Sequence, residues 1–342
     1  MAEWAWVIYT ILEVLVAVAC RLGNVLVVCA VCVCVRSSLK EPTFCFLVSL
    51  VVADFLVGMA AVPLAVLLDG WVCLTPELCL LLSCVVLVLT QSSVLSLLAI
   101  AVGRYLRVHT PLRYKDLATQ RSLSIAVILC WVISCLLGFA PLFVWNNYSN
   151  LATLTNTTTT ASSPDASSPL PHCTFLSVVS LPFMVYFNFL GCVLVPLLVM
   201  TLLYARLFWC LQGHLRDSLP QARASLLRER RLARSLALVL VLFAGCWMPL
   251  HIMNCALLIR GPEAVTKQAL YAGILLSHAN SAVNPVVYAY CIPKIQQAYR
   301  QIWRWCVQGA GCCYREESGN ISLTGSGANR NAVYVSGART TP

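Results

Sequence analysis

Long apolar runs alternate with short polar or basic connections seven times along the chain. The windows lie near residues 5–35, 43–69, 78–102, 122–145, 179–209, 232–259 and 268–291. Each is long enough to cross a hydrocarbon core, which takes roughly 20 apolar residues per helix. The runs are continuous, whereas the strands of a membrane barrel would be about ten residues of alternating polarity. The pattern predicts an all-α membrane protein, a bundle of seven transmembrane helices. Beyond the seventh run, Lys294–Trp305 intersperses basic and aromatic residues at helical spacing. That predicts a short amphipathic eighth helix on the membrane surface. The expected organisation is therefore a membrane domain over 1–306 and a flexible cytoplasmic tail over 307–342.

Composition agrees with this reading. With 60% hydrophobic and 11% charged residues, the chain is too apolar for a soluble globular domain. The net charge of +10 raises the question of nucleic acid, but the placement of the charges answers it. If the first helix runs inward, all Lys and Arg except Arg21, Arg260 and Lys267 fall on the inner connections and the tail. This is the positive-inside pattern of a multi-pass plasma-membrane protein with its N-terminus extracellular and its C-terminus cytoplasmic. Anionic membrane lipid accounts for the charge, and no nucleic-acid partner is needed. The segment Met1–Trp6 has no basic region and no small-residue cleavage site, so the first run is expected to stay as an anchor.

The outer connection over 146–178 is rich in Ser, Thr, Asn and Pro. It holds two glycosylation sequons, at Asn156 and at Asn147, with Asn156 the better placed because Asn147 lies close to the membrane. Most of the 19 cysteines lie inside apolar runs, where Cys acts as a small hydrophobe. Cys79, at the outer start of the third run, and Cys173, in the outer connection, both face an oxidising compartment and can bridge. Cys306, Cys312 and Cys313 follow the amphipathic segment and suit palmitoylation. No Cys/His spacing points to a structural metal, and none is expected.

Ionisable groups inside a membrane are costly and therefore mark function. Asp54 lies midway along the second run, at the depth of Asn24, Ser93, Asn284 and Pro285. A carboxylate with neighbouring oxygens from Ser93 and Asn280 suits an allosteric sodium ion, and no other cofactor is expected. Glu13 and His278 lie on the outer halves of the first and seventh runs and can pair. Arg21 sits nearly midway in the first run, with no partner indicated by the sequence.

These residues carry a resemblance. The chain has Gly23-Asn24-Val25, Leu50-Val51-Val52-Ala53-Asp54, Gly103-Arg104-Tyr105, Trp131, Pro196 with Tyr204, Cys246-Trp247-Met248-Pro249 and Asn284-Pro285-Val286-Val287-Tyr288, in order on matching helices. It resembles the rhodopsin-like G-protein-coupled receptors over roughly 7–306. Within them it is similar to the adenosine receptors. That likeness rests on Thr90-Gln91-Ser92-Ser93, Pro111-Leu112-Arg113-Tyr114, Trp145-Asn146-Asn147, Met184-Val185-Tyr186-Phe187-Asn188-Phe189 and Trp247-Met248-Pro249-Leu250-His251-Ile252-Met253-Asn254-Cys255. Arg107 and the run Gly273–Asn280 look more like subtypes one and three, which act on inhibitory G proteins. Leu176 favours type three and His251 type one, and the nearest likeness is to a non-mammalian type-three receptor.

The resemblance implies adenosine as ligand and a heterotrimeric G protein of the inhibitory class as partner, lowering adenylyl cyclase activity. Val86 is apolar where amine receptors carry an aspartate, which disfavours a cationic amine. The Asn254 carboxamide both donates and accepts, as adenine's amine and adjacent ring nitrogen require. Phe175 is placed to stack on a purine. Ser277 and His278 offer groups to ribose hydroxyls, with His251 beside them. Val86, Leu87, Met184, Trp247 and Leu250 form apolar walls. For coupling, the resemblance implies Arg104, Tyr105, Tyr204, Glu229, Asn284, Pro285 and Tyr288, with Glu229 pairing Arg104 at rest. Gly103 departs from the family, which usually has an aspartate there, so a non-signalling or constitutively active receptor is the alternative. A transporter or channel is a distant third, because no inverted repeat is visible. No nucleophile–base set or phosphate-binding glycine loop appears, so the chain does not read as an enzyme.

Overall fold

A backbone crossing lipid has no water to bond to and must close its own hydrogen-bond ladder, which is why each apolar run folds as a helix. The computed structural model describes residues 2–34, 42–67, 75–144, 147, 174–217 and 220–308. We number the principal helices α1 (Ala2–Cys34), α2 (Pro42–Leu56, a π turn at Val57–Ala61, then Val62–Leu67), α3 (Pro76–His109) and α4 (Gln120–Gly138). They continue as α5 (a π segment Phe183–Leu194, then Val195–Asp217), α6 (Pro220–Arg260), α7 (Lys267–Cys291) and α8 (Pro293–Gln308). Met1–Tyr299 forms one compact unit and Arg300–Pro342 a second. The division between these units falls within α8, as does the 306/307 boundary expected from sequence.

Among the described residues, α1 to α6 are each long and apolar enough to cross a membrane. The seventh, α7, is long enough but more polar. Its Ser277, His278, Asn280, Ser281 and Asn284 are all buried against other helices rather than turned to lipid. Neighbours pack in a ring, α1 on α2 and α7, α7 on α6, α6 on α5, while α3 runs through the middle against α2, α4 and α5. Accordingly α3 is buried along nearly its whole length, whereas α4 buries only Leu123, Ser134 and Gly138. Large apolar side chains such as Leu15, Ile128, Leu202 and Val241 point outward, as lipid-facing positions must.

Small residues set the closest approaches, as is usual between membrane helices. A side chain at Gly138 would meet the backbone of Val88, and one at Gly58 would meet Cys20 and Ala17 of α1. Trp131 of α4 donates to the Ser49 hydroxyl (3.0 Å), which lies 3.2 Å from Ser96, tying α4, α2 and α3 together. Gly261, at φ 86°, makes the tight exit from α6, and the Thr266 hydroxyl caps the start of α7.

Both π segments share one spacing that the sequence reading passed over. Gly58 lies five residues before Pro63, and Gly191 five before Pro196. Proline has no amide hydrogen to continue the ladder, and the helix widens to i→i+5 bonding just before it. The Val62 amide, for example, reaches back to Val57.

Candidate functional site

At the outer end, Thr174 and Ser177 form a reciprocal cap that starts the short helix Phe175–Val178. The amide of Asn147 donates to the Val178 carbonyl (3.0 Å), which fastens this turn to the chain that leaves α4. Phe175 is half-buried and packs on a cluster of Cys79, Leu80, Leu87, Val178, Phe183 and Met184. Cys79 is disulfide-bonded, and its sulfur lies 3.9 Å from the carbonyl of Thr174. Cys173 lies outside the described residues, as do Asn156, Cys312, Cys313 and the side chain of Cys306.

Helices α6 and α7 contribute the polar groups. Asn254 is 3% exposed on α6. One turn inward, His251 is stacked on Phe189 (4.7 Å between centroids) and on Trp247 (5.9 Å). Among the described residues, neither His251 ring nitrogen nor the Trp247 indole nitrogen has a partner. His278 Nδ1 lies 3.0 and 2.9 Å from the two oxygens of Glu13. The carboxylate accepts, so Nδ1 carries the proton and Nε2 is left for another group. Ser277 spends its hydroxyl hydrogen on the Ile274 carbonyl (2.7 Å) and keeps its lone pairs. Val86, Trp247, Ser277 and His278 line one narrow cavity together with Asn280 and Ser281. Its volume of about 20 Å³ holds about one water, so a nucleoside-sized guest enters only as the walls part. Leu87 and Met184 are buried, and Leu250 is half-buried, on the elements flanking this space.

Directly beneath lies Asp54, fully buried. It accepts from Ser281 Oγ (2.8 Å), Asn284 Nδ2 (2.8 Å) and, at 3.4 Å, Ser93 Oγ. Of the expected trio, Ser93 thus meets Asp54 directly, whereas Asn280 makes no hydrogen bond to Asp54 and its Oδ1 is buried without a partner among the described residues. On α7, positions 281 and 284 share the face toward α2, while 280 is rotated toward the cavity. Asn24 completes the layer, donating to the carbonyls of Cys20 (2.8 Å) and Ser281 (3.1 Å). Sequence reasoning also missed Gln91, which donates to Asn188 inside the π segment of α5 at 2.7 Å. Among the described residues no cluster of three or more His, Cys, Asp or Glu side chains could hold a metal.

At the inner end, Arg104 is 2% exposed and its Nη1 lies 2.9 Å from Glu229 Oε2. Arg107 Nε lies 3.2 Å from the other oxygen of Glu229, a contact the sequence did not indicate. One carboxylate thus holds two guanidinium groups and ties α3 to α6. Tyr204 and Tyr288 are buried nearby, the Tyr288 hydroxyl without a partner among the described residues. Pro285 and Asn284 are buried in α7, whereas Tyr105 turns along its own helix and stacks on His109 (5.1 Å). A cavity of about 430 Å³ opens here, lined by Phe44, Arg104, Arg107, Arg228, Glu229 and Lys294 among others. At Gly103, an added Cβ would meet nothing closer than the Tyr114 hydroxyl at 4.0 Å.

Residues 23–288 match the model of the 7 transmembrane receptor (rhodopsin family). Curated relatives cover most of the chain as well. It is 42% identical over 308 residues to the adenosine receptor A3 of Ovis aries, covering 89% of this chain and 92% of that one. The chain belongs to the rhodopsin family of seven-transmembrane receptors, in its adenosine-receptor group. It is 45% identical over 287 residues to the adenosine receptor A2b of Bos taurus, covering 83% of this chain and 85% of that one. It is 40% identical over 299 residues to the A2b receptor of Gallus gallus, covering 86% and 87% respectively. As a member of this family the chain is a multi-pass membrane receptor and not an enzyme.

Proposed function

We propose that this chain is a cell-surface receptor for extracellular adenosine that activates heterotrimeric G proteins, with its N-terminus outside and its tail in the cytoplasm. The observation that carries the ligand assignment is Asn254. The residue is buried on α6, and a purine's amine and ring nitrogen satisfy both functions of its carboxamide, donor and acceptor, at once. Phe175, packed above α3, supplies a flat apolar face for the base. His278 Nε2 and the Ser277 lone pairs face the ribose hydroxyls, and Val86, Leu87, Met184, Leu250, Trp247 and His251 enclose the rest. Asp54 with Ser93 and Ser281, Asn280 facing the adjoining cavity, is proposed as an allosteric sodium site. Saturation binding of a tritiated adenosine analogue to transfected membranes tests the ligand, with a biogenic amine panel as the control expected not to compete.

Coupling follows from the inner end. Two arginines clamped on Glu229 hold α6 against α3, and Trp247 sits just before Pro249, where the helix lacks one ladder bond and can swing. A guest that repacks Trp247 favours the swung state only as far as it binds that state better. Inhibitory coupling is the favoured class, supported by the likeness of Arg107 and Gly273–Asn280 to subtypes one and three. A fall in cyclic AMP on agonist addition agrees with it, and a rise replaces it with the stimulatory class. Gly103 favours a second reading, raised output without ligand, because Arg104 lacks an adjacent carboxylate. Glycosylation at Asn156 or Asn147 and palmitoylation at Cys306, Cys312 and Cys313 complete the proposal.

A further inference from the structure

Arg21 places a guanidinium within a transmembrane helix, where a charge without compensation is strongly disfavoured. Its Nε donates to the carbonyl of Gly58 on α2 at 2.9 Å. That carbonyl has an unusual need. In a helix, the Gly58 oxygen would be bonded by the amide of residue 62 in α register or of residue 63 in π register. The Val62 amide is already committed to the Val57 carbonyl. Residue 63 is proline and has no amide hydrogen. The backbone therefore cannot satisfy Gly58, and no water is at hand within lipid.

Gly58 also permits the contact. An added Cβ there would lie 2.6 Å from Cys20 Cβ and 3.1 Å from the Ala17 carbonyl, so α1 and α2 touch at this residue. Their close approach brings the Arg21 stem alongside the unpaired oxygen. The same π turn presents Val57 and Ala61 to the narrow cavity shared by Trp247, Ser277 and His278.

We infer that Arg21 is a positioning residue that supplies, from the neighbouring helix, the hydrogen bond Pro63 removes from Gly58, and so fixes the π turn that walls the central cavity. The inference stands on backbone geometry and does not depend on the identity of the ligand.

A cycle between the two residues tests it by melting, without ligand, in detergent-purified receptor. Arg21→Met keeps length and apolar stem but donates nothing, and should lower the melting temperature by roughly 5 °C. Pro63→Ala restores an amide at position 63. In that background the same Arg21→Met change should cost less than half as much. Recovery of folded receptor in the double variant when Arg21→Met alone fails to fold is the same result in stronger form. Equal losses in both backgrounds, or no loss from Arg21→Met in the wild type, overturn the inference, because a general packing role gives no rescue by an amide. If Pro63→Ala itself does not fold, arginine-selective ¹⁵N spectra replace the cycle. A slowly exchanging Nε–H signal should vanish in Arg21→Lys, and its absence from the wild type overturns the inference.

Discussion

At the outer end of the bundle, His251 and Trp247 bury polar groups that meet no hydrogen-bond partner among the described residues, and Asn254 lies buried one turn further out. At the inner end, Arg104 and Arg107 share both oxygens of Glu229. The two ends are built from the same helices, α3, α6 and α7, so helix type does not explain the contrast. Buried polar groups left open raise the energy of the empty state, which a guest of matching polarity then lowers. Buried charges closed on each other do the reverse and hold one arrangement until something separates them. The outer end is thus built to gain a partner and the inner end to lose one.

The contrast breaks most directly at Asn254. Asn254→Ala removes the amide, and the ligand's own polar atoms are left unpaired at about 1–3 kcal/mol each. Adenosine-analogue affinity should fall on the order of 100-fold in saturation binding, with surface expression unchanged. Unaltered affinity would place the guest elsewhere. The mirror experiment is Glu229→Gln, which keeps shape but removes the charge that clamps two arginines. Agonist-independent signalling should rise about tenfold, equivalent to roughly 1.4 kcal/mol in the resting–active balance. A silent Glu229→Gln would mean that the resting state is held by another contact.

The middle layer sharpens the comparison, since Asp54 is held by the neutral side chains of Ser93, Ser281 and Asn284. With sodium raised, agonist affinity should fall about fivefold in the wild type and not at all in Asp54→Asn, because linkage requires the ion and the agonist to oppose each other equally. Identical agonist curves with and without sodium would remove the ion from the scheme. The smallest effect is expected at Gly103, where the structure leaves room for a side chain. Gly103→Asp should lower basal output about threefold by adding a charge-assisted restraint on Arg104. Gly103→Ala should give only the part that comes from a stiffer last turn of α3. Equal basal output at matched receptor density would show that Glu229 already suffices.

The layer around Asp54 also shows how far the chain could be read beforehand. Depth was legible, because a helix rises about 1.5 Å per residue and polar residues can be counted along it. That is why Asp54, Ser93 and Asn284 were grouped and why Glu13 and His278 were expected to meet. Rotation was not. Ser281 and Asn280 lie at nearly the same depth, and only the packing of α7 decides which one turns to α2. The contact of Arg107 with Glu229 was hidden for the same reason, since the side chain reaches sideways from the helix end. The π turns escaped because apolar periodicity is blind to one added residue per turn, although glycine five residues before proline marks both.

Helix α6 runs unbroken for 41 residues, which at 1.5 Å per residue is about 60 Å, roughly twice the hydrocarbon thickness. Pro249 divides it unequally. The arm from Pro249 to Pro220 is about 44 Å long, so a rotation of about 10° at the proline carries its far end some 8 Å. The stretch that swings is a lever pivoted between Trp247 and His251, and its long arm carries Glu229 and a row of arginines. A sub-ångström adjustment around a small guest is thereby amplified several-fold before it reaches the far end of the helix. Gly245, whose missing side chain would meet nothing within 4 Å, lies four residues before the proline, where the ladder bond is lost. Packing does not demand glycine there. Its presence softens the fulcrum, so the ease with which the lever turns is written in one residue that touches neither the guest nor the partner.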